Sequence, residues 1–470
     1  MRLLLVSHHF PPMGGAGVQR ALKFVRYLGG FGVQPVVLAG DDPDYLQDPS
    51  LLDELPPGLQ VLRVPHRTLL QRMLARRVPS PGAAPPGLRR GTGLSPAWRD
   101  ALLGAWSALQ WPDERGGWAR AARAPARRLL HDAGIEMIMS TAPPVAAHAL
   151  ARRLARGAGL PWVADWRDLW ADNPGRTAPA WRRALERRVE RRWLRDAAGV
   201  IAVTPAWQRR YAAQLDGRCP VAWIPNGYDE ADFTGLVPAP LPADGALRLV
   251  HAGSFYGPRD PAPLLQAMDR VLRERPAGAR ALKLRLVGAI GSRFEAALAA
   301  FDARHPGVVE RRPYVPHAEA LAEMRAADAL LLVVGAGDGR RAEVVAGTLP
   351  GKLFEYLRAD RPVLLLGDPA GDAAALLRRH GRGWIADETR PDEIAAALAA
   401  LCHAPAVPAP SASLPAVPAP SASLPAVPAP SASPPAPPQA EVARFERRAL
   451  AGELAAFLHH CRERWQHRHG

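Results

Sequence analysis

A chain of 470 residues with 48% apolar content has the material for about two or three ordinary domain cores, which sets aside a disordered or fibrous protein. Its formal charge of +15 favours anionic partners such as nucleotides or phospholipid headgroups, and with neither RNP-like aromatic strands nor a zinc finger present, no nucleic-acid partner is expected. Cys219, Cys402 and Cys461 are far apart and lack ligand spacing, which excludes a disulfide framework and a zinc site and fits a reducing, cytoplasmic setting.

Arginine carries nearly all of the positive charge, because lysine stands only at Lys23, Lys283 and Lys352. Nothing in Leu3–Val6 and the Ser7-His8-His9-Phe10-Pro11-Pro12 that follows resembles a signal peptide, and no apolar run is long enough to span a bilayer.

Arg2–Phe10 reads as a strand, Val18–Gly30 as a helix with Val18, Ala21, Leu22, Val25 and Leu28 on one face, and Gln34–Gly40 as a second strand. The turn between them, Pro11 to Gly17, is glycine-rich, so the backbone can approach a ligand at the helix start. It is not the dinucleotide fingerprint, since Arg20 stands where the last glycine of GxGxxG would fall from Gly15. The same glycines also suit an ordinary strand-to-helix turn.

Leu51–Arg128 reads as irregular, and its stretch from about 66 to 128 carries Trp98, Trp106, Trp111 and Trp118 among arginines. Tryptophan beside arginine suits an anionic membrane face; a surface subdomain with its own small core fits equally. Ile135–Ser140, Trp162–Ala164 and Gly199–Thr204 read as buried strands, with a helix at about Val145–Arg156. After the second of these strands comes Asp165-Trp166-Arg167-Asp168. Asp165 and Asp168 stand just past a strand's carboxyl end, where ligands collect in open α/β sheets, and could orient or deprotonate an acceptor hydroxyl. Such a cluster also braces loops or caps helices.

From Leu247 the strand and helix alternation restarts and runs to Leu401, which predicts a second parallel sheet covered by helices. The expected organisation is a first domain over 1–236, a second over 245–404, a linker over 405–438 containing three near-identical VPAPSAS decapeptides, and a final helix over 441–465 packing back on the first domain. In the second domain, Leu349–Gly367 reads as a loop, a helix starting near Gly351, a turn and a buried strand. The helix-start amides of Gly351 and Lys352 offer a seat for phosphate, and Lys352 adds a full charge. Glu355, on nearly the same face, could accept two hydrogen bonds from a ribose diol. Arg259, in the loop after the domain's first strand, could reach the same anion. An ordinary amphipathic helix would look the same here.

Taken in order, FPPMGGAGVQR, STAPP, WVADWRDLW, IPNGYDEADF, HAGSFYGPRDP and LPGKLFEYLRADRPVLLL resemble the landmarks of glycosyltransferase family 4. The resemblance spans nearly the whole chain except the repeats. It implies an α/β fold of the GT-B architecture, two Rossmann-like domains facing each other across a cleft. It implies a glycosyltransferase of hexosyltransferase type, taking a nucleotide-sugar donor and a glycan or lipid-linked acceptor in cell-surface polysaccharide biosynthesis, with retention and with no metal or other cofactor. By the same resemblance Arg259 and Lys352 hold the donor diphosphate, Gly351 seats it, Glu355 holds the ribose, Tyr314 and Val315 hold the base through backbone groups, and Gly14 and Gly15 close over the phosphate. Catalysis then falls to Arg259 and Lys352 on the leaving group, with Asp165 and Asp168 on the acceptor side. The family's usual glutamate eight residues before Glu355 is Gly347 here, with Glu343 out of register, and many relatives have a histidine where Asp165 and Asp168 stand. An epimerase or hydrolase of the nucleotide sugar, and a non-catalytic partner of a polysaccharide assembly complex, are the alternatives.

Overall fold

The computed structural model describes residues 1–65, 110–173, 175–176, 178–240, 242, 244–255, 259–274, 278–335, 337, 340–381, 383–404 and 442–469. They form two compact units, Met1–Ile224 with Ala451–Gly470, and Pro225–Leu450. The VPAPSAS repeats, Trp98 and Trp106 lie outside the described residues.

The first unit is built on β1 (Arg2–Ser7), β2 (Gln34–Asp41), β3 (Val61–Pro65), β4 (Met137–Ala142), β5 (Trp162–Trp166), β6 (Gly199–Ala202) and β7 (Val221–Trp223). Its helices are α1 (Ala16–Leu28), α2 (Gly116–Ala121), α3 (Arg123–Asp132), α4 (Ala146–Ala158), α5 (Ala180–Leu194) and α6 (Pro205–Leu215). The strands form one parallel sheet in the order β3-β2-β1-β4-β5-β6-β7. β4 and β5 are buried at every position, as parallel strands covered on both faces should be. Local chemistry sets the helix ends: Thr204 accepts a hydrogen bond from the Trp207 amide to cap α6, with Pro205 in its first turn, and α4 stops at Gly159 in the left-handed conformation.

The stretch expected to be irregular as far as residue 128 is helical from Gly116. Trp118, Ala122, Ala126, Leu129 and Leu130 recur at spacings of three and four and are all buried, a helical face that the surrounding arginines obscured in the sequence. Trp118 is fully buried, edge-on to His8 at 4.9 Å, so it is a core residue and no membrane anchor. Arg115 pairs with Asp42 at 2.7 Å, both buried, tying the approach to α2 to the end of β2. Trp111 is partly exposed with the Arg182 guanidinium over its ring at 5.6 Å.

The second unit contains β8 (Leu247–Ala252), β9 (Leu282–Val287), β10 (Val309–Arg312), β11 (Ala329–Val333), β12 (Val363–Leu366) and β13 (Gly383–Ala386), parallel in the order β10-β9-β8-β11-β12-β13. Its helices are α7 (Glu230–Phe233), α8 (Ala262–Glu274), α9 (Glu295–Arg304), α10 (His317–Ala326), α11 (Arg340–Ala346), α12 (Lys352–Ala359), α13 (Asp372–His380) and α14 (Pro391–His403). Leu249, Leu265, Met268, Leu284, Phe301 and Leu331 anchor its core. In each sheet the strand order reverses direction once, between β1 and β4 and between β8 and β11, and such points are where open α/β sheets bind ligands.

The boundary between units falls at Ile224 and Pro225, earlier than the expected 236. The reason is side-chain and backbone pairing: Tyr228 exchanges backbone hydrogen bonds with Phe445 and Arg447, and Glu230 accepts from Arg358 Nε and Nη2. Residues 225–236 therefore group with the second unit. The last helix, α15 (Arg447–His469), begins later than 441 and runs past 465. From Ala451 it groups with the first unit, where Arg462 pairs with Glu136 at 2.5 Å and Arg468 donates to the Arg218 carbonyl at 2.6 Å. Gly199 on β6 is required there, since a Cβ would collide with the Cys461 sulfur. No helix among the described residues is long and apolar enough to cross a membrane.

Candidate functional site

In the second unit the chemistry gathers at the carboxyl ends of β8 and β11. His251, the one polar side chain near the end of β8, is fully buried. Its Nδ1 lies 2.9 Å from the Leu331 carbonyl of β11 and its Nε2 3.1 Å from Lys352 Nζ. A carbonyl only accepts, so Nδ1 carries the proton and Nε2 accepts from the lysine. Burial and the Lys352 charge hold the imidazole neutral, well below the usual histidine range. Tyr356 pins the same two strands: its hydroxyl accepts from the Ala252 amide at 3.0 Å and donates to the Leu331 carbonyl at 3.3 Å. That fixes α12, and with it Lys352, over the switch point.

Lys352 opens α12 and its Nζ lies against Gly253. A Cβ at Gly253 would come within 2.5 Å of Nζ, and the glycine's φ of +131° is one that side chains rarely adopt. Burial, with the Arg259 charge second and Glu355 opposing, brings the Lys352 ammonium down to about 7. An ammonium lowered by burial and by a neighbouring guanidinium at a helix start is suited to an anionic ligand. The amides of Leu353 and Phe354 donate to the Pro350 and Gly351 carbonyls, so the helix start presents those of Gly351 and Lys352.

The ammonium's position gives a pH dependence with a definite sign. A bound diphosphate stabilises the charged lysine, so its pKa rises on binding and a proton is taken up. Affinity for a nucleotide sugar is therefore level below about pH 7 and falls as pH rises through that value, by at most about tenfold per pH unit. Calorimetry across that range checks it, the slope being absent in Lys352→Met.

Glu355 accepts from His317 Nε2 at 2.9 Å, and His317 Nδ1 lies 3.8 Å from Asp232. Burial pushes the Glu355 carboxyl up, but His317, Arg447 and Lys352 together hold it below its ordinary value. Burial likewise pushes His317 down, and Glu355 and Asp232 outweigh it, so the pair is held as imidazolium and carboxylate. His317 opens α10 just after Tyr314, Val315 and Pro316; Tyr314 is exposed and Val315 half-buried in the connection from β10. The structure thus brings together Arg259, Gly351, Lys352 and Glu355, with the Tyr314 and Val315 backbone leading into the histidine that holds Glu355. Gly347 is buried and donates its amide to the Glu343 carbonyl at the end of α11, while the Glu343 side chain is exposed.

His251 and His317 were not among the sequence candidates. His251 had a signal, an imidazole at the carboxyl end of the largely apolar strand Leu247 to Ala252; His317 had none, because its partner is 38 residues away.

In the first unit, Gly14 donates its amide to the Leu46 carbonyl at 2.8 Å, and a Cβ there would lie 2.9 Å from that of Asp48. Gly15, at φ +84°, turns the chain into α1. Asp165 lies inside the unit. It is fully buried on β5, with Oδ1 accepting from Arg20 Nη2 at 2.8 Å and Oδ2 from Arg20 Nε at 3.0 Å and Thr141 Oγ1 at 2.8 Å. Arg20 also donates to the Ile224 carbonyl at 2.9 Å. Both oxygens of this carboxylate are engaged in a guanidinium fork that joins α1, β4, β5 and the end of β7. Asp168, three residues on, is exposed. Between them Arg167 braces the turn, donating to the Ala142, Pro143 and Gly17 carbonyls.

Residues 13–232 match the model of Glycosyltransferase Family 4. The match takes in just under half of the chain. Its two parallel sheets flanked by helices are the GT-B fold, and solved structures agree. A structure of Anabaena Alr3699/HepE in complex with UDP and glucose matches with TM-score 0.57 at 13% identity, covering 97% of this chain and 99% of that one. The sucrose-phosphate synthase of Thermosynechococcus elongatus matches with TM-score 0.53 at 14% identity, covering 86% and 91%. The lipopolysaccharide outer core galactosyltransferase WaaB, in its apo form, matches with TM-score 0.51 at 11% identity, covering 86% and 90%. At these identities the likeness is one of fold. No match is found among curated proteins.

Proposed function

We propose that this protein is a retaining glycosyltransferase that moves a hexose from a nucleotide-sugar donor to a glycan or lipid-linked acceptor in cell-surface polysaccharide biosynthesis, working in the cytoplasm at the inner membrane face. The observation that carries the donor half is the Lys352 cluster: a half-buried ammonium and a half-buried guanidinium at a strand switch point beside a helix start, with Glu355 one helical turn away. The diphosphate fits against Lys352, Arg259 and the Gly351 amide, and the ribose diol against the Glu355 oxygens. The HepE complex with UDP and glucose supports uridine diphosphate sugars as the first donors to test. As the glycosidic bond breaks, negative charge grows on the leaving diphosphate, and the two cations stabilise it more than they do the ground state. On the acceptor side this reading gives the exposed Asp168 the task of receiving or orienting a hydroxyl.

This reading balances the leaving-group charge with Lys352 and Arg259 and needs no metal. Release of nucleoside diphosphate from the donor, followed with and without acceptor lipid, tests it. The expected result is acceptor-dependent release at a rate unchanged by a chelator. Release that chelation abolishes would contradict the metal-independent mechanism, and release without transfer to any acceptor would contradict the transferase.

A further inference from the structure

We propose that the outer face of α5 is the surface by which the protein binds an anionic phospholipid bilayer. Trp181, Leu185, Arg188 and Arg192 fall at spacings of four, three and four, so they share a stripe about 60° wide on a helix of 3.6 residues per turn. All four are exposed, Trp181 at 62% and Leu185 at 43%, and Arg195 just beyond the helix continues the same side. The opposite face is fully engaged: Arg182, Glu186, Glu190, Trp193 and Leu194 are buried, and Arg182 pairs with Glu186 at 2.9 Å. The helix is therefore fixed to its sheet from behind, and its front has no structural task. Arg188, Arg192 and Arg195 make no ion pair among the described residues, although acidic partners are found for Arg182 and Arg187 on the same helix.

The pairing of residue types selects the partner. A guanidinium row alone would suit any polyanion. An exposed indole and a leucine in line with it suit a surface whose charged layer lies over hydrocarbon, where the ring sits at headgroup depth and arginines meet lipid phosphate. This surface gives the membrane placement in the proposed function a location on the protein, and its test does not depend on turnover. It also differs from the tryptophan-rich segment expected from the sequence, since Trp118 is in the core.

The full chain is tested by co-sedimentation with vesicles of phosphatidylcholine alone and of phosphatidylcholine mixed with phosphatidylglycerol. Binding is expected to the anionic vesicles only and to weaken with added salt. Removing each arginine should cost about fivefold in affinity, so Arg188→Ala with Arg192→Ala should cost about 30-fold, and Trp181→Ala with Leu185→Ala should also weaken binding. Circular dichroism confirms that each variant is folded. Arg123→Ala with Arg127→Ala, the same charge removed from exposed positions on α3, should change binding little. Equal losses from the α3 and α5 pairs would overturn the proposal in favour of bulk charge. Unaltered binding in both α5 variants, or displacement by single-stranded nucleic acid without loss in Trp181→Ala with Leu185→Ala, would also overturn it.

Discussion

Lys352→Ala is expected to lower kcat/KM for the donor by about 10²–10³-fold, the usual loss when one preorganised charge is taken from a developing anion. The folded protein should not suffer. The lysine is held well below its ordinary pKa by burial and by Arg259, so in the free protein its charge costs the fold more than it contributes. Alanine should therefore leave the thermal midpoint unchanged or slightly raised while turnover collapses. Steady-state kinetics beside a melting curve separates these, and a variant that loses turnover and stability together would make Lys352 a structural residue.

Arg20→Ala should do the reverse. It leaves the Asp165 carboxylate in a fully buried position with only Thr141 as partner, and breaking such a pair from one side costs about 3–5 kcal/mol. Urea unfolding should show that loss. Replacing both partners with apolar residues of similar volume, Arg20→Met with Asp165→Leu, should recover most of it, because neither member of the pair is then left unpaired. Were Asp165 instead the acceptor-side base, Asp165→Asn would abolish transfer with stability nearly intact.

The sequence carried the parts of this account that depend on neighbours along the chain. The period of apolar residues places β1, α1 and β2, and the alternation from Leu247 onward gives the second sheet. Lys352 and Glu355 were legible because they stand three positions apart on one short helix. What depended on distant pairing was not legible. Asp165 and Arg20 are 145 residues apart, and nothing local distinguishes an aspartate offered to a ligand from one closed into a guanidinium fork. His317 and Glu355 meet only when α10 and α12 pack together. In α2 and α3, arginines on the outer face broke up an apolar stripe that is plain once Trp118 and Leu130 are seen buried together. The boundary at Ile224 was likewise set by Glu230 and Tyr228 finding partners in Arg358, Phe445 and Arg447, more than a hundred residues downstream.

The central claim is that the residues over the β8 and β11 switch point form a donor site. The most direct test is calorimetric titration of the wild-type protein, Lys352→Ala and Glu355→Ala with a panel of nucleotide sugars. Saturable binding of one nucleotide class, weakened by both substitutions in proteins whose circular dichroism is unchanged, is the predicted result. Binding that survives both substitutions at full strength would place the donor elsewhere and contradict the site.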